Sequence, residues 1–143
     1  KQDIIHSGYK FHMNNITAVI GLEQMKYIEK ITSAHIKNAK LYDQEIVNPK
    51  ITKLQRQSNS ESSCWIYSIL CETRDDLQKH LQENGIQSDV VHVRNDNYSI
   101  FKSFKRHDLD NLDYFNNNLL NIPVGWWLSK KELWHILNCV NNY

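Results

Sequence analysis

The run Cys64 to Cys71, CWIYSILC, constrains this chain more than any other segment. Read with a period of two, Trp65, Tyr67 and Ile69 fall on one side and Ile66, Ser68 and Leu70 on the other, so both faces are largely apolar. Such a strand belongs in the middle of a small sheet. The rest of the chain must then supply partner strands and covering helices.

Upstream, Ile16, Val19 and Ile20 announce a helix that Asn14 or Asn15 can cap, and Gly8 permits a backbone turn ahead of it. Ile28, Ile31, His35 and Tyr42 continue a helical spacing, with Glu29, Lys30, Lys37 and Lys40 on the wet face. Residues 15–46 therefore form two helical segments or one kinked helix, ended by Asn48-Pro49. Gly21 lies inside this stretch. An interior glycine costs about 1 kcal/mol relative to alanine, so it points to a close neighbour, and the plain reading of the segment is a buried helix.

Downstream of CWIYSILC, Thr73 and Asp76 open a helix with Leu77 and Leu81 on its core face, and Gly85 closes it. Residues 86–93 read as another strand. After a long polar loop, Asp110 caps a short helix, and 120–124 forms a strand that Pro123 confines to an edge. Ser129 and Glu132 make a capping-box pattern, followed by the stripe Leu133, Trp134, Ile136, Leu137 and Val140. The expectation is a single α/β (α+β) domain over 1–143, with a loop at 1–14, the long helix at 15–46 and a small α/β unit at 50–143.

Seventeen basic and sixteen acidic side chains leave a net charge of +1, so no overall field draws nucleic acid or an anionic membrane. Cys64, Cys71 and Cys139 are widely spaced in apolar surroundings, which suits reduced thiols in the cytoplasm. His6, His35, His80, His107 and His135 share no metal-ligand spacing, so no metal is expected. No apolar run approaches the roughly 20 residues that span a bilayer, and no signal peptide is visible, so a soluble cytoplasmic protein is expected. The start on Lys1 rather than methionine suggests a fragment.

The stretch GYKFHMNNITAVIGLEQM, Gly8 to Met25, resembles the segment that follows the catalytic core in the DegT/DnrJ/EryC1/StrS sugar aminotransferases. Gly8, Tyr9, Phe11, Ala18, Gly21, Leu22 and Gln24 match the family's GYN loop and the AAxGLxQL-like helix after it. Lys10 replaces the usual asparagine, His12 takes the usual arginine position and Met25 stands for leucine. Arg74, Asp75 and Leu77 resemble the family's RDxL helix start, Asn84-Gly85-Ile86 its strand approach, and Asn121-Ile122-Pro123-Val124 its LPLP-like segment. The order of these landmarks matches too.

The resemblance implies the small C-terminal domain of the fold type I aminotransferases, a short antiparallel sheet flanked by helices with a long N-terminal helix. It also implies pyridoxal 5'-phosphate as cofactor, a homodimer, glutamate as amino donor and a nucleotide-linked keto-sugar as acceptor. In the family the Schiff-base lysine and its acidic partner precede the GYN loop, so no catalytic residue is assigned here. A non-catalytic relative serving dimerisation or sugar-nucleotide binding is the alternative.

By the same resemblance, Lys10 and His12 reach the neighbouring subunit's cofactor, where Lys10 can donate to phosphate as a point charge. Against this stand a solvated Lys10 and a merely packed His12. The strand end VVHVRNDNYSIF corresponds to the family's substrate-side motif and puts forward His92, Arg94, Asn95, Asp96 and Tyr98. Arg94 suits a diphosphate, Asn95 and Asp96 suit sugar hydroxyls, and Tyr98 can cover a base or sugar face. The plainer reading is an Asn/Asp turn with an internal contact between Arg94 and Asp96. Trp126 and Trp127 can stack on a ring, but such a pair more commonly anchors a small domain against a larger partner.

Overall fold

The computed structural model describes residues 3–11, 13–104, 106 and 108–143. Its sheet has three antiparallel strands in the order β1 (Thr52–Lys53), β2 (Tyr67–Leu70) and β3 (Leu119–Ile122). The doubly apolar segment is central, as its two faces require. Tyr67 pairs with Ile122 and Leu70 with Leu119, while Thr52 pairs with Leu70 on the other side. The short β1 carries too few residues to show a period.

Five α-helices accompany the sheet among the described residues: α1 (Asn15–Met25), α2 (Ile28–Glu45), α3 (Arg74–Glu83), α4 (Asp110–Asn118) and α5 (Lys130–Asn141). Helices α2 and α3 both pack on α5. Tyr42, Ile69, Leu77, Leu81, Leu120, Leu137 and Val140 are shut off from solvent and form the centre of the core. Each such leucine contributes roughly 1.5–3 kcal/mol by leaving water. Tyr42 also donates its hydroxyl to the Pro123 carbonyl at 2.8 Å, so its burial leaves no polar atom stranded.

Local signals set the helix ends. Asn14 accepts from the Thr17 amide at 2.9 Å, and Ser129 and Glu132 bond reciprocally at 2.7 and 3.3 Å as a complete capping box. Gly85 adopts φ +74 after α3, and the Ile86 amide turns back to the Leu81 carbonyl at 2.8 Å. That closure brings two buried apolar side chains together behind the turn. Thr73 precedes α3 without a side-chain cap bond, and its hydroxyl accepts from Tyr143. Asp110 likewise is no cap: Leu109 holds that position, and Asp110 sits in the first turn, where the helix dipole favours a carboxylate.

Two further expectations fail. Residues 86–93 form no named strand; only Asp89 bridges Asn121, and beyond it the Val91 amide is taken by the Asn121 side chain at 2.9 Å rather than by a strand carbonyl. Helix α1 is not buried: none of its residues is, and nothing lies within 4 Å of a Cβ built on Gly21. The long helix does divide, at Lys26 and Tyr27.

Candidate functional site

Two segments carry the candidate residues: the arm over residues 3–11 ahead of α1, and the loop over residues 92–104 between the Asp89 bridge and α4. They meet where the arm begins and the loop is halfway along. Asp3 accepts from the Ser99 amide at 2.9 Å and from the Ser99 hydroxyl, and the Ile100 amide donates to the Ile4 carbonyl at 3.0 Å. These bonds from Ser99 hold the Asp3 carboxyl below its ordinary range. The start of the arm is therefore tied to the loop.

Within the arm, Tyr9 and Phe11 are about nine-tenths exposed and face each other at 6.1 Å between ring centroids. Lys10 between them is exposed, and no hydrogen bond or ion pair engages it among the described residues. His12 lies outside the described residues. A free ammonium on an extended arm can serve an anionic group such as a phosphate.

The loop begins on His92, which is exposed and meets the edge of Trp65 at 5.7 Å between ring centroids. Arg94 turns inward. Its Nε donates to Asp96 Oδ1 at 2.7 Å, its Nη2 to the other Asp96 oxygen, and its Nη1 to Asp113 on α4. The internal contact with Asp96, weighed above against substrate binding, is thus present. Asp113 joins it from nineteen residues away, which no local spacing announces. Flanked by two carboxylates, the guanidinium is held firmly in its charged form.

Asn95 opens a short 3₁₀ turn, Asn95–Asn97, and its carbonyl accepts from the Tyr98 amide at 3.1 Å. Tyr98 is half-buried and leads into a second turn, Ser99–Phe104. The structure thus groups His92, Arg94, Asn95, Asp96 and Tyr98 on one loop. No described bond links Lys10 to them.

Residues not put forward as site residues in the sequence position this loop. Asn121 in β3 is buried, donates to Ser68 Oγ at 2.7 Å, accepts from the Val91 amide at 2.9 Å, and exchanges backbone bonds with Asp89. An asparagine in the otherwise apolar run LLNI was the available sign. Nearby, Asn38 of α2 donates to the carbonyls of Val124 and Gly125 at 3.1 and 3.0 Å, fixing the turn that presents Trp126 and Trp127. A Cβ on Gly125 would overlap the Trp127 indole. Both tryptophans remain more than half exposed, and with Trp65 and Val91 the second of them lines a cleft of about 210 Å³.

Similar proteins share this fold. A sugar aminotransferase from Micromonospora echinospora superimposes with a TM-score of 0.87 and 30% identity, over 94% of this chain and 37% of that one. A Streptococcus pneumoniae protein crystallised in a PLP form has the same fold, with a TM-score of 0.79 and 23% identity over 98% of this chain and 38% of that one. GDP-perosamine synthase of Vibrio cholerae is 23% identical over 142 residues, 95% of this chain and 39% of that enzyme. The chain thus spans about two-fifths of the length of the relatives it matches, as a partial domain of the fold type I architecture. The family profile matches residues 1–141, and the chain belongs to the DegT/DnrJ/EryC1/StrS aminotransferase family.

Proposed function

We propose that this chain is the closing part of a pyridoxal-phosphate-dependent enzyme that moves an amino group, with glutamate as donor, onto a nucleotide-linked keto-sugar. The observation that carries the reading is the match over residues 1–141 to an aminotransferase family, one relative of which is named for a GDP-linked amino sugar. When bound, the cofactor supplies an electron sink for the transfer. This chain supplies positioning: Lys10 reaches out from the arm to the phosphate in a neighbouring subunit, a role His12 shares by family resemblance, and the loop from His92 to Tyr98 forms part of the sugar-nucleotide wall.

The reading implies a homodimer, because the arm's exposed residues serve a site the same chain does not complete. Three buried cysteines without disulfides agree with work in the cytoplasm, and no described helix is long and apolar enough to cross a membrane.

The test is turnover by the complete protein, with glutamate and a panel of keto-sugar nucleotides, followed by amino-sugar formation. Lack of turnover with every member would turn the assignment toward a non-catalytic binding relative. For the arm, Lys10→Ala should lower cofactor retention, read from the visible absorbance of the bound cofactor, while the dimer stays intact. Unchanged retention would remove Lys10 from the phosphate site.

A further inference from the structure

We infer that Arg94 is a positioning residue that clamps the substrate loop to α4 through Asp113, rather than a group that meets the substrate's diphosphate. The inference rests on the proposed reading of the loop as part of the sugar-nucleotide wall. Three observations carry it. The Arg94 side chain is only 7% exposed, so its charge does not face solvent where a ligand would arrive. Its fork is occupied, with Nε and Nη2 on Asp96 and Nη1 on Asp113. A diphosphate would have to displace two carboxylates already in bidentate and bridging contact.

The clamp also lies where it has mechanical consequence. Helix α4 runs directly into β3, and the Asn118 carbonyl at its end accepts from the Cys71 amide at 2.9 Å. Asp113 is therefore fixed to the sheet. Three residues before Arg94, the Val91 amide is held by Asn121 of the same strand. Only His92 and Val93 lie between these two fixed points. Arg94 thus sets where His92, Asn95 and Tyr98 stand, and the exposed groups of the loop, not its cation, are left to meet the ligand.

Asp113→Asn in the complete protein separates the two roles, because Asp113 is half exposed on the side of α4 and its loss has opposite effects under them. A clamp predicts that Asp113→Asn and Arg94→Lys each raise the Michaelis constant for the sugar nucleotide roughly fivefold or more, with kcat and the glutamate constant little changed. The double variant should then be no worse than the poorer single one. A direct diphosphate contact predicts that Asp113→Asn leaves that constant unchanged or lowers it, by freeing the guanidinium, and this result would overturn the inference.

Amide hydrogen exchange supplies a readout independent of turnover. Faster exchange over residues 95–104 in both variants, with the α5 amides unchanged, supports the clamp; unchanged exchange there overturns it even if the enzyme is active. If wild-type protein turns over no sugar nucleotide, the functional proposal fails while the exchange result still decides the clamp.

Discussion

Helices α1 and α5 are nearly equal in length, both carry a side-chain cap and both are rich in apolar residues, yet one is bare and the other is the backbone of the core. Helix α5 buries Leu133, Ile136, Leu137, Cys139 and Val140, while α1 buries nothing. The difference lies in spacing. In α5 the apolar residues recur at three and four positions and make one stripe; in α1, Ile16, Val19, Ile20, Leu22 and Met25 are spread around the circumference. Apolar content says that a helix calls for cover, and the spacing says from how many sides. A helix apolar all round finds no single face to lay on a small sheet.

That contrast can be attacked by substitution. The largest effect is expected for Leu137→Ala, which empties a site 1% exposed in α5 and should cost about 2–5 kcal/mol in chemical denaturation. Asn38→Ala should follow at about 1–3 kcal/mol, since it strands the carbonyls of Val124 and Gly125. Near-neutrality of that variant would mean that water replaces the amide. Ser129→Ala, which removes the α5 cap, should cost about 1 kcal/mol.

This last cost has a pH signature. Bonds to Ser129 hold the Glu132 carboxyl below its ordinary value of 4.5, so the folded chain binds that proton less readily than the unfolded one. Its contribution is complete at neutral pH and disappears as pH falls from that ordinary value through the depressed one. The gap in melting temperature between wild type and Ser129→Ala should therefore narrow on acidification, and a constant gap would mean that the hydroxyl does not act through the carboxylate, which keeps its bond to the Ser129 amide.

The smallest effect is expected in α1, where Leu22→Ala should stay within about 0.5 kcal/mol as long as the helix has no cover. A loss several times larger in the complete protein would show that α1 is packed there, and would turn the contrast between the two helices into one of where the cover comes from.

Features with a short-range cause were legible in the sequence. The capping box of Ser129 and Glu132, the Asn14 cap, the left-handed turn at Gly85 and the central place of Tyr67–Leu70 each follow from a few adjacent side chains. What escaped depends on distant partners. The extended residues 89–91 look like a strand until Asn121 takes the Val91 amide, and Arg94 looks like a ligand for anions until Asp113 arrives from α4. The loop itself could be located from His92, Asn95 and Tyr98, but the direction in which its arginine turns could not. Gly21 misled for the same reason, because a glycine inside a helix reports a neighbour only when one is present in the same chain.

Asn121 makes fold and site separable at one position. A leucine or valine there would suit the apolar strand on either side of it but would leave the Val91 amide and the Ser68 hydroxyl without the side chain that pairs them. Such a change would leave the backbone bridge to Asp89 in place but release the Val91 amide, one of the two fixed points that flank His92 and Val93. A substitution at this position can therefore keep the strand while changing how the loop is presented, without touching any residue on the loop itself.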